Sequence, residues 1–354
     1  MTELVLGTKK GLFIMDGEDS VMEVRCRAFA GDPVDYAMRD PRTGRVFAAT
    51  TSPFYGPKIF YADDPAGEWT QAEGVELPGG GEQALERIWV IVPGEADGLL
   101  YAGGDPGVLF ESRDGGASWR LNDALWNHPT RPTWQPGGGG LCAHSIVPWP
   151  GNPQRLLVAV SAAGIWLTED GGQSWRQGNR GLVPRYLPEE TREESNALCV
   201  HHVERAPQRP ERLFLQFHGG IYRSDDAGET WTEIGQELET DFGFPLAIDP
   251  ADPDCAFVIP LKADLDRVTP GGRVAVQETR DGGASWQARR DGLPQSHAYL
   301  TVLRLAFDRA GAGDGLELYF GTTTGEVFGS RDAGVSWFRA ISELPPVFSL
   351  AASR

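Results

Sequence analysis

Apolar residues along this chain come in short bursts, four to six positions long, that stop at Gly, Pro, Asp or Asn. Residues 198–234 show the pattern clearly. Four runs (198–203, 212–217, 220–223 and 231–234) are rich in leucine, β-branched and aromatic side chains, with turn-forming residues between them. Runs of this length and composition predict strands rather than helices, and four of them in about 50 residues predict one antiparallel sheet.

The same unit repeats. The string Ser112-Arg113-Asp114-Gly115-Gly116-Ala117-Ser118-Trp119 returns with its shared Asp at Asp170, Asp226, Asp281 and Asp332, at steps of 56, 56, 55 and 51 residues. A degenerate copy runs from Asp64 to Trp69, and a vestige falls at Asp16. Four strands per repeat of about this length predict an all-β propeller of seven four-stranded blades, and one such propeller domain would account for residues 1–354. Strands are lettered a to d from the central channel outward. The chain starts on a b-type run, at residues 3–7, and finishes on an a-type run, at residues 347–351. Pairing these two closes the ring and removes the sheet edges at the seam.

Composition adds limits. There are 45 glycines and 26 prolines, about a fifth of the 354 residues, which leaves little room for long helices. The net charge of −18 repels phosphate backbones and anionic lipid, so neither nucleic acid nor a membrane surface is expected as a partner. No 18-residue apolar run and no signal-peptide pattern occurs, and four cysteines are too few for a disulfide framework. A cytoplasmic protein with reduced thiols is the expectation.

The repeated string is similar to the Ser/Thr-x-Asp-x-Gly-x-Ser/Thr-Trp pattern of the BNR, or Asp-box, repeat family. Phrases such as Gly7-Thr8-Lys9-Lys10-Gly11-Leu12-Phe13 and Asp241-Phe242-Gly243-Phe244-Pro245 resemble a bacterial group of sialidase-like propellers labelled glycosyl hydrolases. The resemblance implies a hydrolase-like enzyme acting on a carbohydrate or another small polar molecule. It also leaves open a binding or assembly scaffold, like propellers that resemble photosystem II assembly factors. A true sialidase is not implied. The family's Phe/Tyr-Arg-Ile-Pro string is matched only by Glu86-Arg87-Ile88-Trp89, no arginine triad can be assigned, and sialidase propellers have six blades.

The boxes themselves read as turn chemistry. An Asp carboxylate can accept the turn's N–H groups, Gly permits positive φ, and six of the eleven tryptophans close boxes or their partial copy. Chemistry is expected at the other face, where a strands start and b strands end. His144, His201 and His218 map there, and as imidazoles from two adjacent blades they suggest a reactive centre or a ligand set for a divalent metal such as Zn. Metal binding, metal-free acid–base work and plain packing all fit those residues. The strings Leu141-Cys142-Ala143-His144 and Leu198-Cys199-Val200-His201 place each Cys beneath its His. Arg87, Gln216, Lys262, Tyr299 and Trp134 are the expected substrate-binding residues. Arg304 reads equally as positive charge for the site or as a buried structural ion pair. The longest insertion, residues 121–141, reads as a lid or binding loop, with residues 182–196 as its neighbour.

Overall fold

The computed structural model describes residues 1–18, 20–79, 83–192 and 197–354. It contains seven sheets of four antiparallel strands arranged in a ring. The inner, a, strands are Val347–Ser353, Val34–Arg39, Arg87–Pro93, Cys142–Trp149, Val200–Arg205, Gly243–Asp249 and Phe307–Ala310, for blades 1 to 7 in that order. Blade 1 takes its inner strand from the C-terminus. Val347–Ser353 pairs antiparallel with Thr2–Thr8, matching Leu350 to Leu6 and Ala352 to Leu4. Both leucines of the first match are buried, so the seam is a packed interface and not only a hydrogen-bonded edge.

The boxes form the c–d hairpins. In blade 3 the Asp114 carboxylate accepts from the Ser118 N–H at 3.0 Å, the Ser112 hydroxyl at 2.8 Å and the Ser118 hydroxyl at 2.6 Å. Gly116 N–H donates to Ser112 Oγ at 2.9 Å with φ of +88°, a conformation that a side chain would strain. Trp119 is buried and its indole N–H closes the loop on the Gly116 carbonyl. The Asp170, Asp226, Asp281 and Asp332 hairpins repeat this set of carboxylate bonds.

One irregularity recurs on the inner strands. Blades 2, 3, 4 and 5 each carry a β-bulge near the mouth, and the extra residues are Asp35, Trp89, His144 and His201. In blade 6, Phe244 and Pro245 occupy the same level. A bulge places one unpaired residue out of the alternation and re-aims its side chain. Its consequence is a belt of bulged residues around the channel. Below the belt the channel holds a cavity of about 320 Å³, lined among others by Tyr36, His202, Glu204, Asp308 and Arg309. Among the described residues no helix is long and apolar enough to cross a membrane, and all four cysteines are free.

Candidate functional site

The bulged residues reach sideways to the next blade. Asp35 lies 3.2 Å from Arg87 Nε, His144 Nε2 donates to Val200 O at 2.8 Å, and His201 Nδ1 donates to Gly243 O at 2.5 Å. Each acceptor or partner sits at the start of the neighbouring a strand. These contacts tie adjacent inner strands together at the mouth.

The two bulged histidines then differ. His144 also bonds Ser145 Oγ through Nδ1 at 2.9 Å, so both ring nitrogens are engaged and the ring is fully buried. The expected convergence of His144 with His201 and His218 is therefore corrected: His144 is an inter-blade tether. The alternation that put Cys142 beneath it does not hold across the bulge. Among the described residues no hydrogen bond engages His201 Nε2, and the ring lies 5.3 Å from that of His218. The third member of this cluster is Cys199. Its Sγ and one nitrogen from each of His201 and His218 lie within 4.8 Å of one another.

Surrounding groups hold this cluster in place. Tyr186, from the 182–196 insertion, accepts the Cys199 N–H at 2.8 Å, donates to Ala197 O at 2.7 Å, and lays its ring 4.5 Å from His218. Residues 193–196 of that insertion lie outside the described residues. His218 Nε2 faces Asp264 at 3.4 Å, and Ser161 Oγ sits 3.2 Å from Cys199 Sγ. Burial lowers the pKa of His201 well below the usual histidine value, with Arg304 adding to the effect, and burial lowers His218 less. Both are neutral near pH 7. Burial pushes the Cys199 thiol up, against the pull of Ser161 and Arg304.

Arg304 is the unusual group here. It is 7% exposed, stacks over Trp89 at 4.9 Å and Phe244 at 5.9 Å, and forms no ion pair or hydrogen bond among the described residues. Its Nη1 is buried without a partner. The ion-pair alternative for this residue is thus overturned. Burial lowers its pKa, and Arg267 and Arg87 push in the same direction. Phe244 connects the parts, since His201 lies 4.7 Å from its ring and the Arg267 guanidinium 5.3 Å. A buried guanidinium with no carboxylate paired to it is a place for an anion.

The long insertion covers this corner. Gly137 and Gly140 bond each other through paired N–H and C=O groups at 3.1 Å, making a tight tip. A Cβ at Gly137, Gly138 or Gly139 would stand 3.7 Å from Cys199 Sγ, Arg267 Nη2 or Arg304 Nη2 respectively. At Gly140, φ is +99° and a Cβ would come within 2.0 Å of Asp105, so only glycine fits. Arg131 fastens the base of the loop, donating to the carbonyls of Pro106 and Gly107 while stacking on Trp126 and Trp134. Cys142 Sγ donates to Gly139 O at 3.0 Å. Burial raises the carboxyls of Asp105 and Asp35 above the ordinary range, and Arg87 lies close enough to both to pull against that rise.

The expected substrate-binding residues divide. Arg87 is at the mouth, half-exposed, paired with Asp35 and stacked on Trp89 at 4.9 Å. Lys262 and Tyr299 stand exposed on the rim, Lys262 bonded to Asp266 at 2.7 Å. Gln216 is buried and donates to the carbonyls of Phe217, Gly220 and Asp241, so it is a structural residue. Trp134 is also buried, against Trp166 at 4.9 Å, and offers no open face. The sequence reading passed over Asp35 and Arg267, and took Cys199 as lying beneath His201 rather than as part of the site. Only Cys199 left a signal, in its repeat of the Cys-x-His string.

The chain matches no protein-family model and no curated protein sequence. Its fold is similar to that of solved structures with low sequence identity. One is an ancestral GH74 enzyme, 15% identical with a TM-score of 0.61, covering 86% of this chain and 38% of that one. A second is the GH74 xyloglucanase from Xanthomonas campestris, 16% identical with a TM-score of 0.63, covering 96% and 52%. This chain thus spans about half or less of those two proteins. A third is YCF48 from Cyanidioschyzon merolae, 14% identical with a TM-score of 0.54, covering 88% and 85%. At these identities the likeness is one of seven-bladed propeller fold, shared by glycoside hydrolases and by YCF48 alike.

Proposed function

We propose that the covered channel mouth binds a small, hydroxyl-bearing anion of the carbohydrate class and acts on it as a hydrolase-like site. The observation that carries this reading is Arg304: a buried guanidinium without a carboxylate, placed under a glycine loop and beside Arg267 and His201. A charge in that position destabilises the empty fold, and an anionic ligand group relieves it. Candidate proton-transfer groups stand on the mouth face: the carboxyls of Asp105 and Asp35, raised by burial, and, in the metal-free protein, the neutral imidazoles of His201 and His218. The GH74 neighbours, one of them named a xyloglucanase, support the carbohydrate class.

The test is a melting series with glucuronate, glucose, phosphate and sulfate. The reading expects glucuronate to raise the melting temperature more than glucose, and Arg304→Met to erase the difference. Equal effects of the charged and neutral sugars would contradict it. A second reading, a docking scaffold, is favoured by the exposure of Phe54, Tyr55 and Leu265 on the loops that join b and c strands. It gains ground only if every small anion fails.

A further inference from the structure

We infer that Cys199, His201 and His218 form a site for a thiophilic divalent metal of the zinc class, with one coordination position left open beneath the glycine loop. The donor set is one thiolate and two imidazoles, which favours zinc or cobalt over magnesium or calcium. Their ligand atoms lie within 4.8 Å of one another. Tetrahedral zinc, with Zn–N of about 2.1 Å and Zn–S of about 2.3 Å, holds ligands roughly 3.4–3.6 Å apart, so closure asks for about an ångström of side-chain rotation.

Each ligand already has the outer partner that a metal-bound side chain uses. His201 Nδ1 donates to Gly243 O at 2.5 Å, which leaves the Nε2 lone pair free. His218 turns Nε2 toward Asp264 at 3.4 Å, which leaves Nδ1. Ser161 Oγ, 3.2 Å from Cys199 Sγ, can donate to a thiolate, and Tyr186 fixes the Cys199 backbone at 2.8 Å. None of these partners is a surface lysine or a crowd of carboxylates; the cluster is built into the ends of blades 4, 5 and 6.

The arginines shape what such a site holds. Arg304 and Arg267 both act electrostatically on Cys199 and His201, so they repel a divalent ion placed there and weaken its binding. A thiolate removes part of the positive charge, and an anion in the open position removes more. Metal and anion should therefore bind cooperatively, each tightening the other by the same factor. That coupling rests on the anion reading above; the metal site itself does not. With the histidine lone pairs committed to the ion, proton transfer falls to Asp105 and Asp35.

The experiment is a Co²⁺ and Zn²⁺ titration of the full, untagged chain after chelator treatment, with and without glucuronate. One equivalent of Co²⁺ should give a thiolate-to-cobalt charge-transfer band that Zn²⁺ bleaches. Cys199→Ser should remove the band and lower affinity at least about a hundredfold, and His218→Asn should lower it comparably, with melting curves confirming that both variants fold. His144→Gln should keep the band. Substoichiometric binding, or an unchanged band in Cys199→Ser, overturns the metal site. Glucuronate should raise Zn²⁺ affinity in the wild type and leave Arg304→Met unaffected. Normal metal binding with no response to glucuronate overturns the coupling and the anion reading while the metal site stands.

Discussion

Replacing Arg304 by methionine should make the ligand-free protein more stable, and the size of the gain follows from what the guanidinium touches. Burying one charge without a counter-charge costs several kcal/mol, even after local relaxation. Against that stand two cation–π contacts, to Trp89 at 4.9 Å and Phe244 at 5.9 Å, together about 1–3 kcal/mol in a desolvated setting. Methionine keeps most of the apolar stem and fills the same space softly. The balance is a stabilisation of about 1–3 kcal/mol. At about 2.1 cal/mol/K per residue, the unfolding entropy of a 354-residue chain converts this to a rise in melting temperature of roughly 1–4 °C. Scanning calorimetry of metal-free, ligand-free wild type and Arg304→Met would read it. A melting temperature lowered by more than about 2 °C would show that Arg304 holds the channel together, which would refute the view that its charge is kept for a ligand.

Acid should weaken the metal-free fold early. His144 and His201 are buried with pKa values lowered below that of the unfolded chain, so between the folded and unfolded values the unfolded state binds more protons. Stability is then fully present above about pH 6.5 and falls as pH drops, by about 1.4 kcal/mol per pH unit for each histidine; a flat melting temperature from pH 7.5 to 5.5 would contradict this. Asp114→Ala should lower stability by about 1–2 kcal/mol and Trp119→Ala by about 3–5 kcal/mol, with glucuronate binding unchanged in both. An Asp114 variant that keeps its stability and loses binding would overturn the structural role of the hairpins. Deleting residues 345–354 removes the inner strand of blade 1, so soluble yield should drop sharply; normal yield and melting would deny that the seam matters.

The fold was legible because its information is local and repeated. Each copy of the Asp–Gly–Trp string marks one c–d turn, and the b-type start and a-type end left a single way to close the ring. The face of the site was legible for the same reason, since strand order alone assigns His201 and His218 to the mouth. Its detail was not. Period-2 reasoning cannot see a bulge, and the bulges at His144 and His201 turn both histidines onto the next blade; what separates them is the Ser145 hydroxyl, which takes the second nitrogen of His144. Burial also inverted two expectations: Trp134 and Gln216 look like ligand-binding residues in sequence, yet neighbouring blades and carbonyls consume them. The glycine loop was readable as a cover from its length. Its placement over Arg304, Arg267 and Cys199 depends on contacts between blades distant in sequence.

Anomalous diffraction from crystals of the wild-type protein soaked in bromide tests the central claim most directly. Bromide is a small monatomic anion and carries the charge that Arg304 lacks a partner for. A peak is expected within hydrogen-bonding distance of the Arg304 guanidinium, enclosed by Trp89, Phe244 and the 137–140 loop, and no such peak in Arg304→Met. Bromide found only on the outer surface, with the Arg304 guanidinium paired to a carboxylate of this chain, would contradict it.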